Sequence, residues 1–470
     1  MPMTGSELLI LIIPSALAVL LLAVLSLEHL LLLTLFLVPL SLQLSYITGS
    51  TGIDLSVPTE PVLALVLLIT LFRLIVTGGF PRTLLRHPMT VLIGIWLLWT
   101  FFTAVTSAMP AVSFKTLAYR LWFTAGFYLV IASLAYSERF RTRYILAFSA
   151  GLAVVVVYFI IRVQGAGLLN QQFAHSACYP FYRDHTSFGA SMAFLLPPLA
   201  VMLAGKGSTG RKAMLALIVL LFAAGFILSY SRAAWVSLIA AAVAGLVLWI
   251  RMPVRMLTVS VLVLTVALAL SANLIWQRMD STTEDSSADL EQHLRSSANI
   301  STDQSNLERI NRWKCALRMF AEKPHLGWGP GTYQFQYAPF QKASERTDIS
   351  TDFGDAGNAH SEYLGALSET GWPGALIFLS ITFTAIITGI RCWYREKRGP
   401  SGYFVLALVT GLMTYAVHAV MNSFLDSDKI AALWWGFIAL ITATDIGQRR
   451  EPEIPQKRVK DKPDDAGLSQ

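Results

Sequence analysis

The side chains able to do chemistry fall in a handful of short stretches. Asn358-Ala359-His360-Ser361-Glu362-Tyr363-Leu364 carries a histidine with an acid two residues on, and Ser229-Tyr230-Ser231-Arg232-Ala233-Ala234-Trp235 sets one arginine between two apolar runs. Tyr182-Arg183-Asp184-His185-Thr186-Ser187 pairs an arginine with an acid; Arg309, Arg312 and Arg318 recur at helical spacing; Asp426 and Asp428 follow Asn422. Arginines neutralise a diphosphate and grip it through parallel hydrogen bonds. A histidine titrating near neutrality can take the proton from an attacking hydroxyl. Together these groups suit glycosyl transfer from a lipid-linked pyrophosphate sugar, which needs a stabilised leaving group and an activated acceptor.

Each residue also has a plainer reading. Arg232 fits a short hairpin with a snorkelling arginine, Arg183 and Asp184 fit an interfacial ion pair, and a lone histidine is more often structural than catalytic. An Asp-x-Asp pair such as Asp426 and Asp428 can hold a metal diphosphate, but it is common by chance. Zinc-protease spacing is absent and the three cysteines form no metal motif, so neither a metal nor another cofactor is expected. Gly327-Trp328-Gly329-Pro330-Gly331 lacks the Gly-Lys-Ser/Thr ending of a phosphate-binding P-loop, and Gly205-Lys206-Gly207-Ser208-Thr209 reads as a plain turn.

The elements that must position these groups follow from composition. Of 470 residues, 54% are hydrophobic and only 14% charged, against about 25% charged in soluble domains. That excludes a soluble enzyme, a secreted domain and a disordered scaffold. A helix crossing the hydrocarbon core needs roughly 20 apolar residues. Such stretches lie near 8–26, 29–47, 58–77, 89–109, 119–136, 144–162, 186–204, 213–230, 233–250, 254–275, 372–390, 402–421 and 430–447. The expected fold is therefore all-α: a polytopic integral membrane protein of about 12–13 transmembrane helices, with one long extracytoplasmic loop carrying short helices. Four segments result: 1–275 and 372–447 in the membrane, the loop at 276–371, and a charged tail at 448–470 expected to be disordered. The long apolar N-terminal run, with no basic residues before it, does not look like a cleaved signal peptide.

Basic residues in short loops mark the cytoplasmic side. Arg82, Arg86, Arg139, Arg141, Arg143, Lys206, Arg211, Lys212, Arg251, Arg255 and the cluster from Arg391 to Arg398 all fall on one side of an alternating topology, as does the tail. The net charge of +7 is mostly this bias and does not point to nucleic acid. The connection from about 276 to 359 is then extracytoplasmic, with Cys178 and Cys315 on the same side, where they could meet as a disulfide. Within it, 280–306 is rich in Ser, Thr and acids. Leu307, Ile310, Leu317 and Phe320 recur at helical spacing, which predicts an amphipathic helix over 307–322 lying on the membrane surface and ended by Pro324. Asn358 is a plausible cap for the next helix. Gly371 would end that helix, and Pro373 would open the following span.

At these residues the sequence resembles the O-antigen ligase and O-antigen polymerase superfamily of bacterial envelope glycosyltransferases. The likeness runs from about Arg309 to Trp435. It rests on Arg312-Trp313 with Ala316-Leu317, on Pro324-His325-Leu326-Gly327-Trp328-Gly329, and above all on Asn358 to Leu364 followed by Glu369-Thr370-Gly371-Trp372-Pro373-Gly374. Ser231-Arg232 and the segment Asn422 to Asp428 also match the usual pattern; the N-terminal third resembles nothing beyond generic spans. The resemblance implies a GT-C-like, metal-independent, inverting transferase in the bacterial inner membrane, multi-pass, with its active site on the periplasmic face. Its donor would be an undecaprenyl-pyrophosphate-linked glycan. The acceptor would be lipid A–core in a ligase, or a second lipid-linked glycan in a polymerase; membrane lipids and a chain-length regulator protein would be further partners. On this likeness His360 is the general base and Arg232 a pyrophosphate ligand, with Arg183 and Arg312 as further candidates. Arg309, Arg312 and Arg318 together are an alternative clamp, and Glu362 or Asp426 would orient the histidine or the acceptor. Ligase and polymerase share this chemistry, so the sequence does not separate them. A lipid-linked oligosaccharide flippase would place charges deep in several spans and show pseudo-symmetric halves; a non-catalytic assembly partner would have no use for His360.

Overall fold

A computed structural model describes residues 25–48, 55–76, 79–168, 170–252, 304–348, 350–351, 357–396 and 399–450, with Leu22 and Met256 besides. The expected spans at 8–26 and 254–275, the acidic stretch before 304 and the tail beyond 450 lie outside the described residues, apart from the last residues of the first span. The principal helices are α1 (Leu27–Leu37), α2 (Thr59–Val76), α3 (Pro88–Val105), α4 (Pro110–Leu134), α5 (Glu138–Ala166) and α6 (His185–Ala204). They continue as α7 (Thr209–Leu228), α8 (Arg232–Trp249), α9 (Gln304–Glu322), α10 (Glu362–Arg395), α11 (Pro400–His418) and α12 (Asp428–Arg450). Ten of them, all but α1 and α9, are long and apolar enough to cross a membrane. The chain is an all-α multi-pass membrane protein.

Sequence chemistry sets most helix starts. Asp184 caps α6 by accepting from the amides of Thr186 and Ser187, both at 2.8 Å. Ser231 caps α8 through Ala234, and proline opens α3, α4 and α11, where its missing N–H is no loss. The apolar stretch at 29–47 does not form the full span expected of it. Pro39 cannot continue the hydrogen-bond ladder, so α1 closes in a 3₁₀ turn at Val38–Leu40 and gives way to a two-stranded ladder of Leu42–Gln43 with Ser56–Val57. At the other end of the chain α12 runs through Arg450, into the stretch expected to be disordered tail.

Helix α12 is the axis of the bundle. It is buried almost throughout, from Ile430 to Ile446, against α4, α6, α10 and α11. Helix α6 packs on α7, α8 and α11, and α1 packs on α5. Between α8 and α10, α9 and the residues after it build a small second core of Cys315, Ala316, Met319, Tyr333, Tyr337 and Ala359. This unit is bolted to the bundle by the glycine-rich turn. The amides of Trp328 and Gly329 donate to the carbonyls of Ser368 and Glu369. From the other side, the Ala108 amide donates to the Trp328 carbonyl and the Ser113 hydroxyl to that of Pro330. Helix α10 breaks at Gly371, whose φ of +69° suits glycine. A Cβ there would lie 2.2 Å from the His325 carbonyl oxygen.

Three local expectations change. The inward stripe of α9 is Glu308, Asn311, Arg312, Cys315 and Met319, whereas Leu317 is exposed. The helix turns its polar face onto the loop unit because Gln341, Thr347 and Ser350 supply partners there. The cap of α10 is Ser361, not Asn358, since Ser361 Oγ takes the Leu364 amide. Cys178 and Cys315 are free, each buried in a different core, so they do not pair.

Candidate functional site

His360 sits in the turn that joins the loop unit to α10, with φ at +46°. A left-handed conformation at a residue with a Cβ costs of order 1–3 kcal/mol and persists only where the surroundings over-determine it. Both of its peptide groups are held. Its amide donates to Asn358 Oδ1 at 3.0 Å, and its carbonyl accepts from the Trp313 indole N–H at 3.0 Å. Asn358 in turn donates to the Ser423 carbonyl at 2.7 Å, and the Glu362 amide to that of Ala419 at 2.9 Å. The turn is thus tied to α9 on one side and to the α11–α12 connection on the other. Among the described residues the half-buried imidazole itself makes no hydrogen bond.

The charges acting on that imidazole come from three elements: Arg309, Arg312 and Glu308 of α9, and Asp184 at the start of α6. Burial and the two arginines push its pKa down to about 4, against the opposing pull of the acids. It is therefore neutral near pH 7, with a lone pair free to accept a proton. Arg309 lies within electrostatic reach of Arg232 and Asp184, and burial together with Arg232 lowers its pKa to about 10. So the first residue of α8, the cap of α6, the first turns of α9 and the His360 turn converge at one end of the bundle.

The other arginines are placed differently. Arg312 is buried in the loop unit: its Nε donates to Glu308 Oε1 at 2.6 Å, and its guanidinium lies 3.9 Å from the Tyr337 ring centroid. Glu308, which also accepts from Ser350 and Thr347, is held below the usual carboxylate range by these bonds. Arg318 is spent on Glu345 and the Phe340 carbonyl. Arg183 is exposed and reaches the side chain of Gln43, while Asp184 is turned inward to cap α6.

Glu362 does not reach toward the imidazole. Its Oε1 accepts from the Tyr415 hydroxyl at 2.6 Å and from the amides of Phe424 and Leu425 at 2.7 and 2.8 Å. It is the rivet of the α11–α12 turn. Asp426, one residue beyond that turn, lies 3.9 Å from Arg120 of α4, and Arg120 stacks 5.0 Å from the Trp96 ring centroid.

Two neighbours of the site were not singled out by sequence reasoning. Arg120 has a signal in the sequence: it lies inside the apolar stretch at 119–136. His418 lies at the end of α11, fully buried, 3.1 Å from the Asn422 side chain and within the fields of Asp184 and Arg309. An ionisable side chain inside an apolar stretch is itself a reason to look for a partner. The model of the O-antigen ligase family matches residues 217–379, which include Arg232, Arg309, Arg312, His360 and Glu362. No curated protein matches the chain. Residues 217–379, about a third of the chain, are thus similar to the O-antigen ligase family, as the motifs around His360 imply.

Proposed function

We propose that the protein is an O-antigen ligase-like glycosyltransferase of the bacterial inner membrane. It moves a glycan from undecaprenyl pyrophosphate onto an acceptor hydroxyl at the periplasmic end of the bundle. The observation that carries this reading is the His360 turn: an imidazole fixed by its backbone, without a hydrogen-bond partner among the described residues, in the field of Arg309, which itself lies in the field of Arg232. His360 would accept the acceptor proton as the new glycosidic bond forms. The bond from the anomeric carbon to the pyrophosphate oxygen breaks, and the electron pair leaves with the carrier. Attack opposite the leaving group inverts the anomeric centre. Arg232 and Arg309 supply two fixed positive charges for the leaving group, the role that a metal plays elsewhere, so the reaction is proposed to be metal-independent. Arg309 is preferred to Arg312 because its own hydrogen bonds among the described residues go only to the neutral side chains of Ser305 and Asn306, whereas the charge of Arg312 is paired with Glu308.

A pyrophosphate bound to these arginines would also offset the Arg309 part of the field that, together with burial and Arg312, depresses His360. Donor binding would therefore raise the basicity of the imidazole at the moment it is needed. Lipid A–core is the proposed acceptor; a second lipid-linked repeat unit is the alternative, on the same site. The test uses proteoliposomes containing a labelled undecaprenyl-pyrophosphate repeat unit without added metal. Label on lipid A–core marks a ligase, and longer lipid-linked chains mark a polymerase. Label that stays on its carrier with both acceptors, with His360→Ala indistinguishable from the parent, would overturn the proposal.

A further inference from the structure

We infer that Arg120 and Asp426 form a subsite for a neutral, hydroxyl-bearing acceptor sugar, an assignment that rests on the transferase reading above. Arg120 has five N–H donors, yet among the described residues its guanidinium makes no hydrogen bond and only one ion pair, at 3.9 Å to Asp426. The Arg120 side chain is 16% exposed and that of Asp426 57%, so both polar ends can meet a ligand. The fork is held in advance by the Trp96 face. Donors and acceptors side by side, on a rigid aromatic support, are what a pair of sugar hydroxyls requires.

The sign of the surroundings separates this place from the pyrophosphate site. Arg120 lies in the fields of Asp426, Glu369 and Glu362, three carboxyl groups against one cation. Carboxyl groups there compete with an anionic phosphate for the guanidinium, whereas hydroxyls can share it with them. Around Arg309 the charges that act on it are Arg232 and Asp184, with the Arg312–Glu308 ion pair beside them on the same helix. The two places are joined rigidly. Glu362, two residues after His360, accepts from the Leu425 amide, one residue before Asp426. Three backbone steps and one carboxylate joint keep His360 and Asp426 within on the order of 15 Å, the scale of an oligosaccharide end. An oligosaccharide end anchored at Arg120 and Asp426 can thus bring a hydroxyl of a further sugar residue to His360.

The test is steady-state transfer in proteoliposomes with saturating donor, titrating lipid A–core and, separately, a second lipid-linked repeat unit. Asp426→Asn is the main variant and Arg120→Lys the second. Losing hydrogen bonds to a charged group should raise KM for the acceptor by about 10–100-fold, with no matching rise in KM for the donor. Whichever acceptor shows that rise is the one the subsite takes. Thermal melting of each variant accompanies the kinetics, because a purely structural pair would lower the melting temperature and leave acceptor KM in place. An acceptor KM within twofold of the parent, an equal rise in donor KM, or a loss in kcat alone would overturn the subsite. Absence of transfer by the parent protein to either acceptor would instead count against the transferase reading itself.

Discussion

The two ends of the bundle handle charge in opposite ways. At the end away from His360, Asp445 of α12 is 1% exposed and gathers three donors: the His87 imidazole at 3.1 Å, Arg395 at 2.6 Å and Arg449 at 2.8 Å. His87 Nδ1 accepts from the Met89 amide, so its Nε2 carries the proton given to Asp445, and α3, α10 and α12 are locked together. At the His360 end, arginines stand near one another and the imidazole makes no hydrogen bond among the described residues. A satisfied charge network stabilises one arrangement, whereas cations held in each other's field favour an anion between them. The end that is unfinished by itself is the end that can bind.

The largest test of this contrast is His360→Ala. Removing a general base should lower transfer by about 10²–10⁴-fold, with little change in melting temperature because the imidazole makes no hydrogen bond among the described residues. Parental turnover in that variant would remove the residue from the mechanism. Asp445→Ala should do the reverse. Stranding His87 near two half-exposed arginines should cost on the order of 2–3 kcal/mol, seen as a lower melting temperature and less folded protein, while turnover per folded molecule persists. A drop in turnover alone would mean that the far lock is coupled to the chemistry.

Smaller effects sharpen the division among the arginines. Arg309→Lys keeps the charge and loses the planar fork, so about 10–100-fold of the transfer rate should go. Arg312→Lys should act through the loop unit, where the bond to Glu308 and the stack on Tyr337 are lost, and appear mainly as lost thermal stability. If the two variants behaved alike, the pyrophosphate assignment would have to include both. The pH profile carries the finest distinction. Because the free imidazole is pushed down to about 4, kcat/KM should fall only as pH drops through that value and His360 becomes protonated. With donor bound the Arg309 charge is offset, so the acid limb of kcat should lie at somewhat higher pH. Coincident limbs would show that the donor charge does not reach His360.

Much of this protein was legible before folding. The apolar runs predicted the spans because a helix in lipid must satisfy its own backbone, and ten of them are present among the described residues. The glycine at 371 and the proline at 373 marked the break in α10 for steric reasons that need no neighbours. His360 and Arg232 stood out as ionisable residues beside apolar segments. The choice among arginines was not legible, since Arg309 and Arg312 differ by less than one helical turn and only packing shows that one faces Glu308 and Tyr337 while the other faces Arg232. Nor could the sequence tell that Glu362 turns away to rivet the Phe424 turn, or that Arg120 and Asp426, some three hundred residues apart, share a place. Local chemistry depends on near neighbours along the chain and can be read there. The pairing of charges depends on distance in space, and that was decided only when α4, α6, α8, α9 and the α11–α12 turn met at one end of the bundle.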